Sequence, residues 1–272
     1  QKLEEFNLEK INKILVNEKI DLNYPTRQEQ RGLMHPITKV ISEVKEILSS
    51  LGFNFVEGPE IEDEFHNFDA LNIPEDHPAR QMQDSFYMKK EGFVLRTHTS
   101  NVQIRHMKSN KPPFQIATVG KVYRADYDQT HTPMFHQMEG FMIDKDITMA
   151  NMRWVLEEFL RLFFKNDKII SRFRPSFFPF TEPSAEVDIG YSKKNNQIKI
   201  GGEENFLEIL GCGMVHPNVL KNVDIDPDEF QGFAFGVGIE RLAMLKYGIK
   251  DIRMLFENNL SFLNHCSFNI NH

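Results

Sequence analysis

The sequence predicts an α+β fold, a mainly antiparallel sheet flanked by helices. Three features predict it. Hairpin signals and successive strands crowd the centre of the 272-residue chain. Apolar residues at helical spacing lie outside that centre. No alternation of strand and helix of the βαβ kind runs through it.

The elements follow in order. Residues 1–20 set Leu3, Phe6, Ile11, Ile14 and Leu15 among Lys, Glu and Asn, the pattern of a helical stub. The chain lacks an initiator Met, so an upstream piece is expected to have been removed. Asp21 to Arg31 is polar, contains Pro25 and reads as a linker. Pro36 opens an amphipathic helix carrying Ile37, Val40, Ile41, Val44, Ile47, Leu48 and Leu51, and Gly52 ends it. Phe53 to Ile61 is a strand reaching Gly58-Pro59. Phe86–Met88 and Phe93–Leu95 flank Lys-Lys-Glu-Gly as a hairpin. Thr97 and Thr99 are candidate caps for a helix through Met107. A long ribbon follows, with strands 114–126 and 134–144 and the polar loop 127–133. The next helix lines up Met149, Met152, Val155, Leu156, Phe159 and Phe163. Strands 169–173, 185–189, 197–200 and 206–212 come next. Strand 233–236 then leads into a helix from Ile239 to Tyr247, stopped by Gly248. The predicted division is residues 1–33, stub and linker, and residues 34–272, one larger domain.

Composition narrows the function classes. Forty per cent hydrophobic and 26% charged residues suit a soluble globular chain with a real core. No apolar run approaches the ~18 residues of a membrane helix, so no membrane partner is expected. Cys212 and Cys266 stand far apart with no CxxC, which argues against a disulfide framework and fits a reducing cytoplasm. A net charge of −7 gives nucleic-acid binding no bulk support, so any such contact must use a local patch or a partner's surface.

The ribbon carries the first candidate chemistry. Alternate strand residues face opposite sides, so Phe135, Gln137 and Glu139 share a face, as do Arg124 and Asp126. Pairing those faces would line one surface with a ring, an amide, two carboxylates and a cation. Such a surface suits a ligand with a ring, an anion and an ammonium; a solvated outer face is the competing reading. His131 and His136 stand five apart without a third ligand at metal spacing, so zinc is not expected. Gly236-Val237-Gly238-Ile239-Glu240-Arg241 has the outline of a dinucleotide loop. However, Arg241 stands where a third glycine belongs, and too little chain follows for another βαβ unit. A cation in a helix's first turn opposes the dipole, which points to an anionic partner for Arg241: a ligand, or else Glu240 or Asp251. Glu208, inside Phe206-Leu207-Glu208-Ile209-Leu210, either faces an edge or holds a cation such as Mg²⁺. Phe178-Pro179-Phe180 either fills the core or walls a pocket.

Taken together, His35 to Phe262 resembles the catalytic core of phenylalanyl-tRNA synthetase alpha subunits of bacterial type, members of the class II synthetases. Eight segments in order carry the resemblance. They begin with Gly58-Pro59-Glu60-Ile61-Glu62, Asn67-Phe68-Asp69-Ala70-Leu71-Asn72, His77-Pro78-Ala79-Arg80 and Leu95-Arg96-Thr97-His98-Thr99-Ser100. Tyr123-Arg124-Ala125-Asp126 with Phe135-His136-Gln137-Met138-Glu139-Gly140 follows. The last three are Arg172-Phe173-Arg174-Pro175 into Phe178-Pro179-Phe180-Thr181-Glu182-Pro183, Gly211-Cys212-Gly213-Met214-Val215-His216-Pro217, and Gly232-Phe233-Ala234-Phe235-Gly236 with Glu240-Arg241. Pro59, Arg124 and Arg241 fall in the three class II motifs.

The resemblance implies the class II fold, with ATP and Mg²⁺ as ligands. It implies activation of L-phenylalanine and its transfer to the 2′-OH at the end of tRNA(Phe). It implies Arg124 at the α-phosphate, Arg241 at the γ-phosphate, Phe135 stacked on adenine, and His131 and Asp126 in the ATP site. Asp126 stands where the family often has the longer Glu. His98, Ser100, Gln137 and Glu139 would surround the amino acid's ammonium and carboxylate. Phe178 and Phe180 would meet its ring, and Ala234 and Gly236 would close the pocket. The family works as an (αβ)₂ tetramer whose alpha subunit carries a coiled-coil arm, to which residues 1–33 would belong. A synthetase for another amino acid would be expected to lack the Phe178, Phe180 and Ala234 set. A non-enzymatic synthetase-like regulator would be expected to lose an anion-binding arginine.

Overall fold

The computed structural model describes residues 2–17, 33–81, 84–194 and 197–268. The predicted linker from Asp21 to Arg31 lies outside the described residues. The chain divides into two compact units, Gln1–Leu33 and Met34–His272. In the first, helix α1 (Lys2–Asn17) exposes Phe6, Leu8 and Ile11.

The second unit opens on α2 (Pro36–Ser50). His35 caps it: Nδ1 accepts from Ile37 N–H at 3.2 Å, leaving Nε2 to donate to the Leu255 carbonyl at 2.9 Å. Pro36 at the first helical position suits both its fixed φ and its missing N–H. Strands β1 (Asn54–Phe55) and β2 (Ile61–Asp63), the short α3 (Glu64–Asn67), β3 (Phe93–Leu95) and α4 (Asn101–Ser109) follow. The sheet is then built by β4 (Phe114–Tyr123) and β5 (Met134–Asp144), with α5 (Met149–Phe164) crossing behind them. It is completed by β6 (Ser171–Phe178), β7 (Thr181–Lys194), β8 (Gln197–Ile200), β9 (Asn205–Val215), α6 (Pro217–Lys221) and β10 (Gln231–Gly238). Helices α7 (Ile239–Tyr247) and α8 (Leu260–Phe268) close the chain. Gly248 ends α7 at φ +67°, a left-handed C-cap that favours glycine.

The sheet order is β1-β4-β5-β10-β9-β7-β6, with β8 on β7. Every pair is antiparallel except β1 with β4. This is the α+β, mainly antiparallel architecture that the sequence predicts. Each strand serves two faces. On β10, Phe233, Phe235 and Val237 join the core formed with α2, α5 and α7, including Val44, Leu48, Leu156, Phe159 and Leu242. On β5, Phe141 and Ile143 enter a second core with Phe68, Leu71, Ile104 and Phe114. That leaves the Phe135–Gln137–Glu139 end of the same β5 face uncovered by this second core.

Several elements differ from expectation. The strand expected over 53–61 stops at Phe55; Val56 N–H still bonds the Ala117 carbonyl, and pairing resumes only where the Glu60 carbonyl accepts from Arg96 N–H. Pro59 has no N–H to continue a ladder, and the Arg96 guanidinium takes the Gly58 and Pro59 carbonyls instead. The expected 86–95 hairpin forms around one bridge, Tyr87 with Val94, with Met88 N–H on the Phe93 carbonyl and Leu95 N–H on the Phe86 carbonyl, while the other edge of β3 pairs with β2. Neither Thr97 nor Thr99 caps α4; Ser100 is the N-cap residue. Strands β6, β7 and β9 run longer than expected, because bulges carry pairing past their irregular stretches.

Burial separates two aromatic residues of α5. Phe159 is fully buried and stacks on Phe163, whereas Trp154 is 62% exposed. Phe159→Ala should cost about 3–5 kcal/mol, and Trp154→Ala should stay within about 0.5 kcal/mol. Urea unfolding of the two variants checks this.

Candidate active site

The ribbon β4–β5 sets the site's floor. Val122, Gly120 and Thr118 stand opposite Phe135, Gln137 and Glu139. Arg124 lies just beyond the end of β4. Its N–H donates to the Pro133 carbonyl and its Nε to the Thr97 carbonyl at 2.9 Å, while Cζ sits 5.3 Å from the Phe135 ring centre. Arg124, Asp126, Gln137 and Glu139 all line one cavity of about 550 Å³. The arginine reaches solvent through this cleft yet is closely surrounded by protein. Desolvation therefore pulls it below the usual guanidinium value, with Glu139 and Asp126 opposing. It stays a cation, and its side chain makes no carboxylate ion pair among the described residues.

Glu139 is 5% exposed. Its Oε2 accepts from Ser100 Oγ at 2.7 Å and from Gln103 Nε2 at 2.9 Å. Burial raises its pKa, and these bonds together with the Arg124 charge pull the other way. Ser100 donates its hydroxyl here; its backbone is helical (φ −61°, ψ −23°), not the extended form of a capping residue, and its side chain makes no capping bond to α4. The peptide carrying Ser100 is anchored at Arg96. Arg96 Nε donates to the Lys121 carbonyl, and its own carbonyl accepts from Tyr123 N–H. Between the two lies His98, 7% exposed, with both ring nitrogens unpartnered. Burial, helped by the Arg124 charge, lowers its pKa to about 3, so the ring is neutral.

The opposite wall is aromatic. Phe178 and Phe180 flank the tight turn from β6 to β7, their rings 6.0 Å apart and inclined by 10°. Phe180 lies 6.1 Å from His98. Ala234 and Gly236 close the cavity on β10. A Cβ at Gly236 would stand 3.0 Å from Gln137 Nε2 and 3.1 Å from Glu139 Cγ, so the bare backbone leaves those side chains their room. Cys212 also lines the cavity, but burial pushes its thiol up to about 12, which keeps it protonated and unreactive.

Eleven sequence-predicted residues thus line one cavity: His98, Ser100, Arg124, Asp126, Gln137, Glu139, Phe178, Phe180, Glu208, Ala234 and Gly236. Three do not. Phe135 lies beside Arg124, His131 sits in the exposed loop with Nδ1 2.8 Å from Asp128, and Arg241 is exposed on α7. The carboxylates weighed as partners for Arg241 are engaged elsewhere, Glu240 with His136 and Asp251 with Arg253. His131 and His136 likewise face separate carboxylates. Glu208 is exposed at the cavity, while its neighbours Glu186 and Asp188 are held by Arg174 and, for Asp188, also Arg172. Sequence reasoning missed Gln103, which its i, i+3 spacing from Ser100 puts on the same helical face. It also missed Thr97, Phe177 and His77 at the cavity wall.

Known proteins are similar to this chain over most of its length. The model of the tRNA synthetase class II core domain (F) matches residues 19–266. The phenylalanine–tRNA ligase alpha subunit of Rickettsia bellii (strain RML369-C) is 55% identical over 264 residues, covering 96% of this chain and 73% of that protein. The protein of the same name from Rhodospirillum centenum (strain ATCC 51521 / SW) is 57% identical over 255 residues, covering 92% and 71%.

The buried His98 makes stability depend on pH. Its folded value, about 3, is depressed below the ordinary 6.5. The unfolded chain therefore takes up a proton that the folded one refuses. The neutral ring's full contribution is present above 6.5 and is lost as pH falls toward 3, at about 1.4 kcal/mol per unit. Urea unfolding across this range should show that slope, and His98→Gln should flatten it by one proton.

Proposed function

The chain belongs to the class II tRNA synthetase core family, among phenylalanine–tRNA ligase alpha subunits, and from that premise we propose how its cavity works. The chain is an aminoacyl-tRNA synthetase that joins phenylalanine to tRNA(Phe). ATP drives the reaction, and a beta subunit completes the enzyme. The assembly is an (αβ)₂ tetramer working in the cytoplasm. Unit 1 with α1 belongs to a helical arm that reaches tRNA, and unit 2 is the catalytic domain.

The observation that carries the site reading is the contrast across one cavity. A buried carboxylate, Glu139, has only neutral hydrogen-bond donors, and an aromatic pair faces the same space. Such a pocket suits a ligand with an ammonium at one end and a phenyl ring at the other. Glu139, with Gln137 and Ser100, receives the ammonium. Neutral His98, whose nitrogens have no partner among the described residues, offers them to the ligand's polar end. Phe178 and Phe180 meet the ring, and Ala234 and Gly236 limit its length.

ATP occupies the other end. Arg124 holds the α-phosphate, Phe135 stacks on adenine, Asp126 and His131 meet the nucleotide, and Arg241 holds the γ-phosphate. The phenylalanine carboxylate attacks the α-phosphorus. A P–O bond forms, the bond to the bridging oxygen breaks, and pyrophosphate leaves. The 2′-OH of the terminal ribose then attacks the acyl carbon and AMP leaves. Positioning and charge stabilisation supply the rate, and no protein nucleophile is used. Mg²⁺ would be held by one or two carboxylates plus substrate phosphates, and Glu208, which lines the cavity and makes no ion pair among the described residues, fits that donor set. When bound, the ion neutralises phosphate charge.

Amino-acid-dependent ATP–pyrophosphate exchange by the assembled enzyme tests this reading. Among twenty amino acids, phenylalanine should dominate, and Arg124→Ala should lower its rate by about 10²-fold or more with the fold intact. Exchange driven by another amino acid, or unaffected by the substitution, would contradict it.

A further inference from the structure

The ladder between β10 and β5 ends at Gly238 paired with Gln137. The chain then turns into α7 at Ile239, so the next N–H of β5, that of His136, has no backbone partner from β10. A side chain takes it instead. Glu240, 1% exposed, accepts His136 N–H at 3.0 Å on Oε1 and 2.9 Å on Oε2. Its Oε1 also lies 2.7 Å from His136 Nδ1. A carboxylate can only accept, so Nδ1 carries the proton in this bond. The first turn of α7 is thereby fixed to β5 by three contacts from one buried side chain.

The location of this link gives it a consequence. His136 lies between Phe135 and Gln137, and Glu240 immediately precedes Arg241. The His136 ring points away from the cavity, on the opposite side of β5 from Gln137 and Glu139. Arg241 is exposed and has no ion pair among the described residues, so its own contacts do not fix where its guanidinium stands. A backbone N–H bond is also insensitive to the rotamer of His136, which makes the link stiff where it matters.

We propose that Glu240 and His136 form a positioning pair that sets Arg241 at a fixed distance from the Phe135 platform, so that one triphosphate nucleotide spans the two. The pair touches neither substrate. It acts on ATP through Arg241 and leaves the amino-acid pocket alone. The proposal rests on the assignment of Arg241 and Phe135 to ATP made above.

The test is pyrophosphate-exchange kinetics of the assembled enzyme, with KM measured separately for ATP and phenylalanine. Glu240→Ala should raise the ATP KM about tenfold or more, since a misplacement near 1 Å is enough for such a loss. The phenylalanine KM should stay within about twofold. Glu240→Gln should restore the ATP KM, because an amide oxygen still accepts His136 N–H and its NH₂ can donate to the other imidazole tautomer. In an Arg241→Ala background, Glu240→Ala should add little. If Glu240→Ala does not fold, His136→Leu, which removes only the ring's bond, carries the same test with a smaller ATP shift expected. A raised ATP KM in Arg241→Ala with none in the Glu240 or His136 variants would overturn the pairing and leave the ATP assignment standing. An unchanged ATP KM in Arg241→Ala would overturn the assignment and the pairing with it. Equal rises in both KM values would show a structural role only.

Discussion

The buried carboxylate of Glu139 is the constraint around which the site is arranged. A charge with 5% exposure is costly unless something compensates it, and here the nearest bonds come from the neutral groups of Ser100 and Gln103. Burial raises its pKa, because the surrounding protein replaces only part of the stabilisation that water gives a carboxylate. In the proposed reading, the ammonium of the substrate supplies the remainder.

The rest of the architecture keeps that side chain in place. Glu139 lies on β5, paired on both edges, with Thr118 opposite it on β4 and Gly236 on β10. Gly236 leaves it room, and α4 brings Ser100 and Gln103 to it on one helical face. Arg96, whose guanidinium donates to the Lys121, Gly58 and Pro59 carbonyls, anchors the peptide that carries His98 and Ser100. Arg124 is held in turn by the Thr97 carbonyl of that peptide. The surroundings of Glu139 and of Arg124 therefore share one short stretch of chain, and rigid positioning of this kind suits the proposed reaction, which uses no protein nucleophile.

Much of this was legible in sequence. Strand alternation alone put Gln137 and Glu139 on one face, and helical periodicity found α2, α5 and α7. The failures have physical causes. The expected 53–61 strand ends early because Pro59 has no N–H for a ladder, a local signal, and because the distant Arg96 takes the Gly58 and Pro59 carbonyls, a tertiary one. Thr97 and Thr99 looked like caps, but Thr97 Oγ1 accepts from Asn67 Nδ2 and the N-cap falls on Ser100, whose hydroxyl belongs to Glu139. Gln103 was missed although its spacing from Ser100 announced it. Arg241 was weighed against Glu240 and Asp251 as salt-bridge partners, and both turn out to be engaged elsewhere.

The central claim is that Glu139 reads the substrate's ammonium. It is tested most directly by calorimetric titration of the assembled enzyme with phenylalanine and with 3-phenylpropionate, which keeps the ring and carboxylate but lacks the ammonium. The wild-type enzyme should bind phenylalanine about 10²-fold more tightly, as befits a buried charge-assisted bond, and Glu139→Gln should shrink that ratio below about tenfold. The same ratio in both proteins would contradict the account.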